Sequence, residues 1–383
     1  MSKVQYQSYI QLNQSSWLGY WKLAEVLSDR TFYDEAAKAY KTAIDLNPNL
    51  DEAHHGLGEA LFRLGNWDEA IASYQKALAL NPNLTESQSS LKVALEKKAD
   101  LANRFCAKPF EHFEVNQVGD VYCCCPDWLP TPIGNLETDD LENVWNSDTA
   151  KDIRQSVLDG NYKYCLAKRC PLISDELLPE KKYISEPDLR EIIDRGLTVL
   201  DTKPKVLNLC YDRSCNLSCP SCRTSIITIK GEEYIQKEKL QDKLLESALD
   251  DAELLIVTGS GDPFGSHLYN QLLTNLDATQ YPKLSIRLIT NGQLFTPSAW
   301  DKWHKSNRSI KIVTISVDAA SEQTYPLVRR GGEFPKLLAN LEFVSQLRQQ
   351  GDLDFVEICF VVQQLNYQEM PEFVKLGIRF TLI

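Results

Sequence analysis

Apolar positions in the N-terminal quarter of the chain recur with a period of 34 residues. Residues 17–50 place Tyr20, Leu23, Ala24, Leu27, Ala36, Tyr40, Ala43 and Pro48 at the spacing that residues 51–84 repeat with His54, Leu57, Gly58, Leu61, Ala70, Tyr74, Ala77 and Pro82. Both blocks end in L-N-P-N-L. A repeat of this period predicts a pair of antiparallel helices per block, the small Gly and Ala positions letting the helices approach. Residues 86–102, with Leu91 and Leu95 in register, predict a further helix capping the stack. From residue 204 the pattern changes. Short β-rich runs (Val206–Cys210, Leu254–Thr258, Leu284–Thr290, Ile312–Val317, Phe355–Val362, Ile378–Ile383) alternate with amphipathic stretches near 236–250, 265–277, 297–306, 333–350 and 367–376. Such alternation predicts βαβ units and a parallel sheet. Its sixth strand would end the chain, with no helix beyond to cover the sheet.

The segment between these regions is irregular. Gly119 and Asp120 predict the turn of a short hairpin. P-I-G-N-L, V-W-N-S and Ile153, Val157 and Leu158 predict a turn and an amphipathic helix, with Trp128 and Trp145 as core. The reading is multidomain, α and α/β: helical repeats over 1–102, a cysteine-rich module over 103–175, a linker over 176–203 and an α/β domain over 204–383.

Composition narrows the setting. The 383 residues are 43% hydrophobic and 25% charged, without an apolar run long enough to span a bilayer. The opening MSKVQYQSYIQ lacks the apolar stretch of a signal peptide, so the expected location is the cytoplasm, with no membrane partner. A net charge of −12 argues against a nucleic-acid partner. Eleven cysteines in a chain of this kind point to metal or redox chemistry rather than a disulfide framework.

Three of them, Cys215, Cys219 and Cys222, stand in the run C-N-L-S-C-P-S-C. Three close thiolates can hold three irons of a [4Fe–4S] cluster and leave the fourth iron open. A zinc site with Cys210 as fourth ligand is the alternative, but zinc knuckles usually come as two C-x-x-C pairs, and no such pair is present. The C-x3-C-x2-C run resembles the signature of radical S-adenosylmethionine (SAM) enzymes. That resemblance implies SAM chelated on the open iron, reductive cleavage to a 5′-deoxyadenosyl radical and hydrogen abstraction from substrate. It also implies a partial (β/α)6 barrel, consistent with six units in about 180 residues.

Further motifs fall in the family's order. Ser260, Gly261 and Asp262 of G-S-G-D-P resemble the stretch that holds the SAM ammonium. Asn291 of T-N-G lies at the rim, and Ser316 and Asp318 of S-V-D resemble the ribose-binding pair. Arg329 would meet the SAM carboxylate. Val362 and Asn366 would contact adenine, while Ser221 stands where an aromatic residue often packs. Strand alternation puts Asn208, Cys210, Arg287, Ile312, Thr314, Glu357, Cys359, Arg379 and Thr381 on one face. Arg287, Glu357 and Arg379 there are candidates to contact substrate, the alternative being an ion pair that satisfies itself.

The middle segment resembles the SPASM/twitch modules that bind an auxiliary [4Fe–4S] cluster, although here it precedes the barrel. The resemblance implies Cys106, Cys124, Cys165 and Cys170 as ligands. Cys125 is the alternative to Cys124, Cys123 a bystander, and structural zinc the competing occupant. The N-terminal blocks resemble the tetratricopeptide repeat (TPR), a surface for a peptide or protein partner or a docking platform. Together these imply a SPASM/twitch radical SAM enzyme acting on a peptide or protein, fed by a flavodoxin or ferredoxin. A small-molecule sugar or lipid substrate, or a non-catalytic iron–sulfur scaffold, are the alternatives.

Overall fold

The structure is a computed structural model that describes residues 16–258 and 260–381. The first residues, read for export, and residues 382–383 of the expected last strand lie outside them. The chain divides into two compact units, one of residues 1–107, 125–131 and 151–198, the other of 108–124, 132–150 and 199–383.

The described residues of the first unit open with five helices, α1 (Trp17–Asp29), α2 (Tyr33–Leu46), α3 (Asp51–Leu64), α4 (Trp67–Leu80) and α5 (Thr85–Ala102). Ser16 caps α1 by accepting from the Gly19 N–H, and Gly65 ends α3 in the left-handed conformation. The small positions of the repeat are its closest contacts: Ala24, Ala36, Ala43, Ala70 and Ala77 are fully buried. A Cβ on Gly58 would lie 2.5 Å from the wholly buried Tyr74 ring, so only glycine lets α3 and α4 meet there. In α5 the buried face runs through Ala94, with Leu91 partly buried against the core. Leu95, expected in register, is 47% exposed, because the helix turns it away from that face. The stretch 176–203, read as a linker, carries another helix, α6 (Pro187–Arg195).

The second unit is built on one eight-stranded sheet. Its strands are β1 (His112–Val115), β2 (Asp120–Tyr122), β3 (Gly134–Asn135), β4 (Val206–Leu209), β5 (Leu254–Val257), β6 (Ser285–Thr290), β7 (Ile310–Ser316) and β8 (Phe355–Cys359), in the order β3-β2-β1-β4-β5-β6-β7-β8. β1 and β2 form the expected hairpin, with Gly119 at φ +80° and Asn116 Oδ1 accepting the Val118 and Asp120 N–H groups. β1 then runs parallel to β4, pairing Glu114 with Asn208. The sheet thus has six parallel strands, but the sixth comes from the middle segment. Over its described residues, 378–381, the strand expected at 378–383 does not form. Ile378 and Arg379 close the last turn of a helix (Met370–Arg379), entered through Pro371.

One sheet face is apolar and wholly buried through Leu207, Leu209, Leu255, Val257, Ile286, Leu288, Val313, Ile315 and Val356. Buried Leu240 and Leu244, Leu268 and Leu272, and Leu337 and Leu341 lie on α7 (Gly231–Ala248), α8 (His267–Asn275) and α9 (Phe334–Gln350) respectively. This is the pattern of a parallel sheet covered by its crossover helices. The other face is mostly half-buried and mixed, with polar Asn208, Arg287, Thr314 and Glu357 among Leu254, Ile256, Ile289 and Ile312, and it shares its C-terminal rim with the cysteine loop.

Candidate functional site

The cysteine loop begins two residues beyond Leu209, where β4 ends. Asp212 organises its start: Oδ1 accepts the Ser214 N–H at 2.7 Å, Oδ2 accepts Ser266 Oγ–H, and its own N–H donates to Tyr269 Oη. The loop after β5 lies directly on it. A Cβ at Gly261 would come within 2.6 Å of Ser214 O and 2.7 Å of Asp212 O, which excludes any side chain. Thr258, at φ +66°, bends that loop, and its Oγ1 accepts the Ser260 and Gly261 N–H groups. Ser260 Oγ donates back to Cys210 O at 2.9 Å.

Each of the three cysteine sulfurs receives an N–H donor. Cys215 Sγ accepts from Asn291 Nδ2 at 3.6 Å and from the Leu217 N–H at 3.4 Å. Cys219 Sγ accepts from Arg329 Nη1 at 3.7 Å, and Cys222 Sγ from Arg223 Nη2 at 3.4 Å. Burial pushes the Cys215 thiol up, Asp262 adds to this, and the Leu217 N–H and Arg223 oppose it. A triad of sulfurs, each facing a donor and two of them facing guanidiniums, is suited to thiolates that ligate iron. Among the described residues no three His, Cys, Asp or Glu side chains are drawn to the spacing that closes around a bare ion.

The structure gives several expected cofactor residues additional work. Asp262 is wholly buried and accepts four hydrogen bonds: Phe264 and Gly265 N–H on Oδ1, Thr290 Oγ1 and the Asn291 N–H on Oδ2. Burial pushes its carboxyl up against the pull of those bonds. With no exposed oxygen, it braces the loop rather than presenting a free carboxylate. Asp318, at φ +59°, pairs with Arg329 at 2.7 Å and accepts the Val361 N–H. Asn366 is wholly buried and closes the loop after β8: Nδ2 donates to Asp318 O and Val361 O, while Oδ1 accepts the Gln363 N–H. All three of its amide bonds are internal, so it braces this loop rather than offering a free amide. Val362 is 55% exposed, and Ser316 and Ser221 also reach the surface.

Two donors are left over. Arg329 Nε and Gln363 Nε2 are buried without a hydrogen-bond partner. Orphaned donors cost free energy unless something accepts from them. Together they fit a ligand that brings an anionic group and a hydrogen-bonding ring, as SAM does.

On the mixed face Arg287, Thr314 and Glu357 meet. Thr314 Oγ1 accepts from Arg287 Nη2 at 2.8 Å and donates to Glu357 Oε1 at 2.6 Å, and Arg287 and Glu357 form an ion pair. Cys359 shares this face half-buried, its thiol pushed up by burial and by Glu357. Arg379 is exposed on its helix, with its guanidinium over the Phe380 ring, and is not on the face. In its place β1 contributes residues that no motif signalled. Glu114 accepts from Asn208 Nδ2 at 2.8 Å, and Cys210 Sγ donates to Asn208 Oδ1 at 3.5 Å. His112, 6% exposed, has both ring nitrogens without a hydrogen bond, and Nε2 lies 3.6 Å from Glu114.

In the first unit Cys106, Cys165 and Cys170 all lie close enough to the Tyr162 phenol to act on its charge, after burial, which pushes that phenol up most. The turn from Cys125 belongs to the same unit. Cys125 O accepts the Trp128 N–H, and Trp128 O accepts the Leu166 N–H at 2.7 Å. Cys124 belongs to the second unit.

Three family models match the chain. Residues 22–84 match the tetratricopeptide repeat, residues 106–171 an iron–sulfur cluster-binding domain (SPASM), and residues 212–377 the radical SAM superfamily. The chain is a radical SAM enzyme. More narrowly, it is one of the SPASM type that carries a TPR domain, and its cofactors are a [4Fe–4S] cluster with SAM and auxiliary iron–sulfur. When bound, the cluster supplies the electron that splits SAM. No curated protein matches the chain. Among solved structures it is similar to the first TPR of Spaghetti (RPAP3) bound to an HSP90 peptide, at 22% identity over 24% of this chain and 75% of that one, TM-score 0.24. It is also similar to MamA, at 25% identity over 25% and 53%, TM-score 0.25. A third is YrrB, a TPR protein with an unusual peptide-binding site, at 22% over 25% and 50%, TM-score 0.24. No described helix is long and apolar enough to cross a membrane.

Proposed function

We propose that this enzyme abstracts hydrogen from a peptide or protein substrate that its TPR domain captures. The supporting observation is the donor-lined thiol triad at the rim of the mixed sheet face. Cys215, Cys219 and Cys222 hold the SAM cluster. Ser260, Gly261 and Asn291 shape the SAM loop, Arg329 Nε and Gln363 Nε2 donate to its polar groups, and Asp262, Asp318 and Asn366 brace them. Ser316 and Val362 border the nucleoside. Arg287 and Glu357, with Thr314 between them, orient substrate. Cys106, Cys165 and Cys170 ligate the auxiliary cluster with Cys124, Cys125 being the alternative. In this reading residues 1–102 recognise, 103–175 relay electrons and 204–383 catalyse. A flavodoxin or ferredoxin in the cytoplasm reduces the enzyme.

The test uses label transfer. Reconstituted enzyme, SAM and dithionite are mixed with a perdeuterated cell extract split into a peptide and a small-metabolite fraction. Deuterium in 5′-deoxyadenosine from the peptide fraction is the expected result. Label from the metabolite fraction alone points to the sugar or lipid alternative, and label from neither overturns the proposal.

A further inference from the structure

Cys222 is exposed at the end of its loop, yet its sulfur is held from the adjacent residue. The Arg223 guanidinium reaches three groups on two loops. Nη2 donates to Cys222 Sγ at 3.4 Å and to Ser260 O at 2.6 Å, while Nη1 donates to Arg213 O at 2.6 Å. One rigid fork therefore ties the start of the cysteine loop, its last cysteine and the loop that carries Gly261. Lysine, a point charge on a flexible stem, cannot make these bonds together.

The other side-chain donors on the triad also hold a second polar side chain. Arg329 is paired with Asp318, and the Asn291 amide also serves Asn216. Arg223 is different: its described partners are two carbonyl oxygens and a sulfur, with no carboxylate ion pair among the described residues. Its charge is not neutralised by a described carboxylate and lies 3.4 Å from the Cys222 sulfur. Reduction adds one negative charge to a cluster and its thiolates, and hydrogen bonds to the sulfurs help set its potential. A charge-assisted donor favours the more negative state.

We propose that Arg223 is a positioning residue that raises the reduction potential of the SAM cluster and couples it to the loop after β5. This rests on the assignment of that cluster to Cys215, Cys219 and Cys222. It adds no chemical step, because the electron still comes from an external low-potential donor.

The experiment is a redox titration of the full-length protein, reconstituted anaerobically and followed by electron paramagnetic resonance. The signal read is the one that changes when SAM is added, which separates this cluster from the auxiliary one. R223M is expected to hold wild-type iron and sulfide but lose about tenfold in stabilisation of the reduced state, about 59 mV for a one-electron couple. R223K should fall between R223M and wild type. A wild-type potential in R223M at equal iron content overturns the proposal. If R223M takes up no cluster, R223K decides alone: a lowered potential supports the proposal and a wild-type potential overturns it. A wild-type protein whose signal ignores SAM would instead refute the cluster assignment.

Discussion

Asp262→Asn separates a bracing carboxylate from a ligand. Asp262 Oδ2 accepts two bonds at 2.8 Å and Oδ1 two at 3.1 Å, in a fully buried site. Asparagine keeps one acceptor oxygen and turns the other into an NH2 that faces two donors. Each lost bond to a charged acceptor is worth about 1.5–3 kcal/mol. Relief from burying a charge offsets part of the loss, since burial already pushes this carboxyl up. The net expectation is destabilisation by about 2–4 kcal/mol in protein free of SAM. Urea unfolding of wild type and D262N without SAM reads it. If D262N unfolds within about 0.5 kcal/mol of wild type yet loses SAM binding tenfold or more, the bracing argument is wrong and the carboxylate is a direct ligand.

Gly58→Ala should destabilise the TPR stack by about 1–3 kcal/mol, read as a lower thermal midpoint. The helix-propensity gain of about 1 kcal/mol is outweighed by a Cβ pressed 2.5 Å from the buried Tyr74 ring; a raised midpoint would contradict this. Glu357→Ala and Arg287→Ala should leave 5′-deoxyadenosine release without substrate unchanged and abolish deuterium transfer from substrate. Loss of both readouts would mean the pair serves the fold. Glu369 predicts a pH effect. Burial disfavours its charge, but Ser321, Thr324 and the Ala320 N–H outweigh that and hold the carboxyl below its usual range. Its stabilisation is therefore present above the unfolded value and is lost as pH falls through the lower folded one. E369Q should flatten the acid side of the stability curve, and an unchanged slope would refute the clamp.

Features that depend on local periodicity were legible. The 34-residue repeat reports contacts between neighbouring helices, and the first five β-runs report strands buried on one face. The failures have physical causes. I-R-F-T-L-I alternates like a strand, but a helix already begun at Met370 carries Ile378 and Arg379 through its last turn. H-F-E-V is too short to signal anything alone, and its strand is fixed by pairing with β4, with Glu114 lying 94 residues before Asn208. His112 and Glu114 were invisible for that reason. The cysteine spacing exposed the triad, whereas Arg223 lies just past its last cysteine and Gln363 lies between Val362 and Asn366, neither with a role the spacing assigns. Only folding shows that one donor faces Cys222 and the other has no acceptor. Asp262 and Asn366 were found by position, but their bonding gives them bracing roles that a motif cannot express.

The central claim is that Cys215, Cys219 and Cys222 together hold a cluster that cleaves SAM. Anaerobically reconstituted protein with dithionite and SAM should release 5′-deoxyadenosine. The variant with all three changed to alanine should release none while keeping the iron and sulfide of the auxiliary cluster. Undiminished release from that variant, or zinc without labile sulfide in the wild type, would contradict it.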